Sequence, residues 1–160
     1  YTMAENKKIK LTIELVPSTV WYKNVRSEVS SDRWDRLRKE CYRSAEYKCE
    51  VCRGTGPKWP VECHEIWHYD DVNKKQILTG LIALCPDCHT VKHPGLAEIK
   101  GRFDVVISQL MSVNDMEYWE ATEYIEQAFD VWRERSKHQW ELDITYLDDD
   151  RESKTQNIYN

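Results

Sequence analysis

Apolar and polar residues alternate near both ends of the chain, a pattern typical of strands with one buried face. The alternating apolar positions are Ile9, Leu11, Ile13 and Leu15 near the start and Trp140, Leu142, Ile144 and Tyr146 near the end. Pro17 interrupts the first run, so we expect that strand to stop there. We predict one strand at each end and expect the two to be able to pair.

Apolar residues recur at helical spacing in three segments between these strands. The first helix is expected to begin at a serine pair, 30–31, and to end near Tyr47. The second covers about 96–111, and Asn114 or Asp115 caps the third. The apolar faces comprise Trp34, Leu37, Cys41 and Ala45, then Ile99, Phe103, Val106 and Leu110, then Tyr118, Ile125, Phe129 and Trp132.

The centre of the chain predicts two short strands followed by a helix. The stretches "VECHEIW" and "KKQILTGLIAL" are apolar enough for strands, and "HYDDVNK" connects them. Pro86 fits the first turn of a helix that carries "DCHTVKH". The predicted order is therefore strand, loop, strand and helix.

Six cysteines in a chain without a signal-like start are more typical of metal ligands than of disulfides. Two CxxC pairs supply four of them, and their spacing within each pair is that of a structural zinc site. We predict that zinc is bound by Cys49, Cys52, Cys85 and Cys88. Cys41 lies on an apolar helix face, and Cys63, which lies between the pairs, is expected to pack rather than to bind zinc.

Histidines suggest a second metal site beside the thiolates. His89 and His93 are four residues apart on the predicted helix, so their rings face one side at a distance of roughly 6 Å. His64 on the first central strand could supply a third nitrogen. Three imidazoles that leave a coordination position open are typical of a catalytic metal. The alternative is that His93 or His68 only forms hydrogen bonds at the surface.

Glu65 follows His64 on the same predicted strand, so the two side chains point in different directions. A carboxylate near a metal-bound phosphate can activate water as a general base. It can also orient a ligand histidine from behind. The residues alone leave both roles open.

From about Cys49 to Gly95 the chain resembles the HNH endonuclease family, which has a ββα-metal core, in its form with a four-cysteine zinc site. The first CxxC, the strand with "ECHE", the junction "GLIALCPDCH" and the segment "HTVKH" carry this resemblance. It implies that His64, His89 and His93 hold one divalent metal (Mg²⁺, Mn²⁺, Ni²⁺ or Zn²⁺) and that DNA phosphodiester bonds are hydrolysed. Glu65 occupies the general-base position, where the family has histidine, and the position of the family's asparagine falls near Gly80. His68 is the alternative base.

The fold class that follows is α+β. A zinc-bound ββα core at 49–95 is flanked by an N-terminal strand and basic helix, 1–48, and by helices and a strand, 96–147. These parts are expected to form a single HNH-type domain over 1–147. The acidic, polar tail 148–160 is expected to be disordered.

The net charge of −5 argues against a generic nucleic-acid binder, but the charge is unevenly distributed. Residues 1–100 carry 17 Lys and Arg against 14 Asp and Glu, whereas residues 101–160 carry 6 against 14. Basic residues cluster in and around the first predicted helix, where they either follow a phosphate backbone or form a solvated face. The predicted DNA contacts are Arg33, Arg36, Arg38, Lys39, Arg43 and Lys92, and Arg26 belongs to the same basic segment.

Other partners and the location of the protein follow from weaker patterns. No apolar run approaches the length of a membrane span, and the charged start differs from a signal peptide, so we expect a cytoplasmic protein. The acidic C-terminal half could bind a basic protein partner. The oligomeric state is left open. The alternative to a nuclease is a catalytically degenerate HNH-type zinc protein that binds nucleic acid or protein.

Overall fold

A computed structural model describes residues 8–148 and has mixed α+β architecture with a small three-stranded sheet. In chain order its elements are α1 (Val25–Glu28), α2 (Ser31–Ser44), β1 (Glu62–Asp70), β2 (Lys75–Leu84), α3 (Pro86–Val91), α4 (Pro94–Ile99), α5 (Phe103–Asn114), α6 (Tyr118–Arg135) and β3 (Glu141–Asp143). The strand order in the sheet is β1-β2-β3. Along the described residues, no helix has both the length and the apolar character needed to cross a membrane.

The centre of the sheet is an antiparallel hairpin of β1 and β2, which confirms the two central strands predicted from the sequence. β1 is longer than predicted and continues to Asp70, whose carboxylate accepts hydrogen bonds from the backbone N–H groups of Val72 and Asn73, both at 3.1 Å. This local bonding closes the tight turn into β2. The register shifts between Ile66 and Trp67, at a β-bulge.

Helix α2 covers one face of this hairpin. The Ser30 hydroxyl caps it by accepting a hydrogen bond from the Arg33 backbone N–H, at 3.2 Å, as the sequence predicts. Leu37 packs in a buried cluster with Trp67 of β1 and Leu78 of β2, whereas Cys41 joins a second cluster that contains the cysteines of the two CxxC pairs. The helix ends at Ser44, three residues earlier than expected.

The predicted N-terminal strand is wrong. Residues 8–17 are extended and alternate in burial, with Leu11 fully buried, but no strand pairs with them among the described residues. Side chains from α5 and α6 form hydrogen bonds with the backbone of this segment instead. The Asn114 amide bonds both the N–H and the C=O of Leu11, at 2.9 Å each, and Tyr124 Oη accepts from the Ile13 N–H. The alternation of apolar residues therefore predicted the burial of this segment correctly. It did not predict that side chains, and not a neighbouring strand, form hydrogen bonds with its backbone.

Three further expectations about the C-terminal part need correction. The helix predicted over 96–111 is divided, because Gly101 adopts a left-handed φ of 70° between α4 and α5. Glu117 caps α6, not Asn114 or Asp115, since Asp115 ends α5 with φ 52°. The last strand is short, and it pairs in parallel with β2. The tail predicted to be disordered lies outside the described residues from 149 onward.

Candidate metal centres

Four cysteines from two distant parts of the chain converge on one point. The thiols of Cys49, Cys52, Cys85 and Cys88 all lie within 4.8 Å of one another, an arrangement compatible with a zinc site. Cys49 and Cys88 are fully buried, whereas Cys52 is partly exposed. Cys41 and Cys63 lie outside this group, as expected for cysteines that pack.

Local backbone structure explains why the two CxxC pairs meet. The first pair lies in the turn after α2, and its Glu50 is bonded to β2 in both directions: its N–H donates to the Ala83 carbonyl at 2.9 Å, and its carboxylate accepts from the Ala83 N–H at 2.7 Å. Ala83 lies two residues before Cys85, so this contact fixes the first pair against the second. Pro86 begins α3 and directs Cys88 back toward the same point.

Each sulfur of this cluster accepts a hydrogen bond from an N–H group. The backbone donors are the N–H groups of Cys52, Gly54 and Cys88, at 3.5, 3.3 and 3.4 Å from the sulfurs of Cys49, Cys52 and Cys85. The fourth donor is a side chain, because Gln109 Nε2 lies 3.2 Å from Cys88 Sγ. N–H donors stabilise thiolates, which are the form that binds metal.

The crowding of the thiols separates their acidities. A hydrogen bond from the Cys88 thiol, supported by backbone N–H groups, lowers the pKa of Cys49 to about 4. The same interaction raises the pKa of Cys88, and burial raises that of Cys85 to about 11. Without a cation, the interaction with Cys49 and burial therefore oppose the ionisation of Cys88 and Cys85. A divalent metal would allow all four to ionise.

The predicted histidine trio also converges. The ligand nitrogens of His64, His89 and His93 lie within 4.8 Å of one another, and the three ring centroids are 5.1 to 5.5 Å apart. His64 comes from β1 and His89 from α3, whereas His93 follows α3 and forms the N-cap position of α4. The two helical histidines therefore belong to consecutive short helices and not to one helix, but their spacing still places them on one side.

The surroundings of His64 and His93 favour the neutral form of these two imidazoles, which is the form that binds metal. Burial, together with positive charge at His89, Lys92 and His93, lowers the pKa of His64 to about 2. Burial, together with positive charge at His89 and Lys92, lowers the pKa of His93 to about 4, although this side chain is more exposed than that of His64. Neutral imidazoles offer a lone pair to a cation. Among the described residues the group contains three nitrogens and no further protein ligand, a donor set that fits a metal with open positions.

A contact that the sequence analysis missed lies behind His89. The Glu62 carboxylate is 3.1 Å from His89 Nδ1. Glu62 precedes His64 by two residues on β1, so both side chains project from the same face of the strand. The period of two along a strand could have identified Glu62, whereas the family resemblance singles out Glu65.

Glu65 and His68 lie away from the trio. The Glu65 carboxylate accepts a hydrogen bond from the Val25 backbone N–H, at 3.1 Å, in the first turn of α1. It is partly buried on the opposite face of β1 from His64, and this burial raises its pKa. His68 is exposed and lies four residues from His64 along the strand, roughly 13 Å by the rise of a strand.

Four of the six predicted basic contacts lie on α2 away from the residues of 8–17 and 147–148. Arg36, Lys39 and Arg43 are exposed and follow one another at spacings of three and four, so they form a basic stripe on the outer face of α2. Arg38 faces a groove of about 360 Å³ that Arg26 and His89 also line.

Two predicted basic residues are engaged elsewhere. Arg33 contacts Asp148, at 3.3 Å, and the Leu147 carbonyl. The buried Lys92 ammonium bonds the Thr12 carbonyl at 2.5 Å and the Glu14 carboxylate at 3.2 Å. Lys92 therefore fixes the N-terminal segment to α3 and presents no free charge at the surface.

The chain was also compared with known proteins. No protein-family model matches it, and it matches no curated protein and no solved structure.

Proposed function

We propose that this protein is a metal-dependent endonuclease of the HNH type that hydrolyses phosphodiester bonds in DNA. The observation that carries the proposal is the convergence of His64, His89 and His93 on one point beside a separate four-cysteine cluster. The antiparallel hairpin of β1 and β2 followed directly by α3 supports the ββα-metal assignment.

In this proposal the three histidines hold one divalent cation, Mg²⁺, Mn²⁺, Ni²⁺ or Zn²⁺, and the four cysteines hold a structural zinc. A divalent cation so held polarises a phosphate oxygen and lowers the pKa of a bound water. His64 fixes the site to the sheet, while His89 and His93 fix it to the helices. The open side of the trio is where a phosphodiester approaches.

The outer face of α2 supports the choice of a polyanionic substrate, because Arg36, Lys39 and Arg43 form an exposed basic stripe there. Arg38 on the same helix lines the groove beside His89, together with Arg26 and with the carboxylates of Asp35 and Glu62. Such a row of cations can follow a phosphate backbone. The Arg38 guanidinium is held by Asp35, at 2.9 Å, and hydrogen bonding to Asp35 and Tyr42 raises its pKa, so the charge has a fixed position.

A supercoiled-plasmid assay tests the proposal. Zinc-loaded protein is incubated with plasmid and Mg²⁺, Mn²⁺ or Ni²⁺, and nicked and linear products are separated on a gel, with chelator controls. Cleavage should require the second metal and should fall at least about a hundredfold in His64→Ala and His89→Ala, because both remove a ligand. Cleavage that survives the double substitution would overturn the assignment.

The base that activates water is tested with Glu65 variants in the same assay. Glu65→Gln keeps an acceptor for the Val25 N–H and removes the negative charge, so it separates a structural role from a chemical one. Equal loss of cleavage in Glu65→Gln and Glu65→Ala, with folding retained, would assign the base to Glu65. His68→Ala tests the second candidate, whose position on β1 predicts no effect.

A second function has a specific observation in its favour. The Glu65 carboxylate is occupied by the N-terminal turn of α1, so the protein could be a catalytically degenerate HNH-type module that binds nucleic acid or a protein. The acidic residues of 101–160 would then suit a basic protein partner. An inert parent that gains cleavage in Glu65→His, which provides the imidazole that the family has there, would favour this alternative.

A further inference from the structure

Glu62 occupies a distinctive place relative to the histidine trio. Its Oε1 lies 3.1 Å from Nδ1 of His89, yet Glu62 is not part of the set of ligand atoms that lie within 4.8 Å of one another. The carboxylate therefore contacts a single histidine from outside the site. A side chain that binds the metal must reach the point where all the ligand atoms meet. A side chain that only orients a ligand histidine needs to reach that one ring.

The chemistry of the imidazole ring gives this contact a consequence. A neutral imidazole carries one proton, and the nitrogen that hydrogen-bonds to a carboxylate retains it. With the proton on Nδ1, His89 presents the lone pair of Nε2 to the trio. The bond also fixes the rotation of the ring, which would otherwise turn about its side-chain torsions.

The position is built by the fold. Glu62 and His64 point from the same face of β1. Helix α3, which carries His89, packs against that strand. The Glu62 side chain is about a third exposed and lines the groove that Arg26 and Arg38 also line. The carboxylate and His89 therefore line the same groove.

We propose that Glu62 is a positioning residue for the second metal, which orients His89 and selects its Nδ1–H tautomer without binding the cation itself. This inference deepens the proposed function and rests on the histidine trio as a metal site. It does not depend on whether the bound metal cleaves DNA.

The test uses the whole chain with zinc in the four-cysteine site, titrated with Co²⁺. Visible absorption of Co²⁺ reports binding and coordination at the histidines, and the absence of thiolate-to-cobalt charge transfer shows that zinc remains on the cysteines. Glu62→Ala should weaken Co²⁺ binding by about 10- to 100-fold, the range expected for an outer partner, with an unchanged spectrum at saturation. Glu62→Gln, which keeps an oxygen acceptor for Nδ1–H, should recover most of the affinity.

Glu126→Ala is the matched control, because Glu126 is an exposed glutamate on α6 and should leave Co²⁺ binding unchanged. Long-range ¹H–¹⁵N spectra of the metal-free histidines should also show the Nδ1–H tautomer of His89 in the wild type and its loss in Glu62→Ala. A change of the Co²⁺ spectrum in Glu62→Ala, with Glu62→Gln equally impaired, would make Glu62 a ligand and overturn the inference.

The failures of the two proposals can be told apart. Wild-type protein that binds Co²⁺ with the expected dependence on Glu62, but leaves plasmid intact, would remove the nuclease and keep the positioning role. Metal-dependent cleavage together with wild-type affinity in Glu62→Ala would keep the nuclease and remove the positioning role. Absence of any Co²⁺ binding at the histidines would overturn both.

Discussion

The two candidate metal centres lie close together in sequence but differ in how the chain encloses them. The four cysteines are mostly buried, and every sulfur already accepts a hydrogen bond. The three histidines are partly exposed, and a single outer partner, Glu62, contacts one of them among the described residues. A closed set of four ligands suits a metal that stabilises the fold, and an open set of three suits a metal that meets a substrate.

The largest expected effect concerns the stability that the four-cysteine cluster gives to the fold. Cys88→Ser should abolish zinc binding and cooperative folding together, because the cluster joins the turn after α2 to the start of α3. Structural zinc in small domains contributes about 10–16 kcal/mol of apparent free energy, comparable with the whole stability of a domain. Zinc content by mass spectrometry and thermal unfolding by circular dichroism measure the effect. Cys63→Ser should retain one zinc, and a folded, zinc-containing Cys88→Ser would refute the structural role.

Substitution in the histidine trio should have the opposite result, with the fold retained and the second metal lost. His64→Ala should retain one zinc and a cooperative thermal transition, but should lose at least about 100-fold in Co²⁺ affinity, since it removes a direct ligand where outer partners cost 10- to 100-fold. Isothermal titration with zinc-loaded protein measures this affinity. His68→Ala, on the same strand but exposed, should bind Co²⁺ like the wild type. Loss of the structural zinc in His64→Ala would show that the two centres are not independent.

A smaller effect concerns stability and pH. Burial and neighbouring positive charge lower the pKa of His64 from 6.5 to about 2, so below pH 6.5 the unfolded chain binds a proton that the folded chain does not. Stability without the second metal should therefore fall with decreasing pH, by about 1 kcal/mol for the first unit below 6.5 and by up to about 1.4 kcal/mol per unit further down. His93 is more exposed, and solvent screening reduces its contribution.

Chemical denaturation of zinc-loaded protein at about pH 7.5 and 5.5 measures the slope. His64→Asn should flatten it, because the substituted side chain does not titrate in this range. His138→Asn is the control, since His138 lies near the surface after α6. An equal slope in wild type and His64→Asn would place the acid sensitivity elsewhere, for example in the thiolates.

Local patterns predicted most of what positions the two centres. The CxxC spacing, the proline at the start of α3 and the alternation of β1 identified both ligand sets, because these features act within a few residues. The N-terminal segment failed as a strand because its hydrogen-bond partners are side chains more than 75 residues away: Lys92, Asn114 and Tyr124. No local pattern indicates that an amide on a helix replaces a neighbouring strand.

The same distinction explains the contacts missed around the metals. Glu62 shares a strand face with His64, so a period of two could have found it. Gln109 could not have been found, because it reaches Cys88 from α5, which packs on α3 only after the chain has turned at Gly101. The candidate ligands are therefore encoded locally, whereas the side chains that hydrogen-bond to them, such as Gln109, depend on the packing of distant helices.

The smallest expected effect tests whether such tuning remains local to each centre. Gln109→Ala removes the N–H donor 3.2 Å from Cys88 Sγ, so the thiolate loses one hydrogen bond, worth about 1 kcal/mol. Zinc affinity, measured by competition with a chromophoric chelator, should fall by roughly fivefold, while Co²⁺ affinity at the histidines stays unchanged. Gln127→Ala on α6 should change neither, because that exposed side chain forms its hydrogen bond with Glu123 and not with a member of either centre. If Gln109→Ala lowered the zinc affinity and the Co²⁺ affinity to the same extent, α3 would couple the two centres. The cysteine cluster and the histidine trio would then differ only in their exposure to solvent.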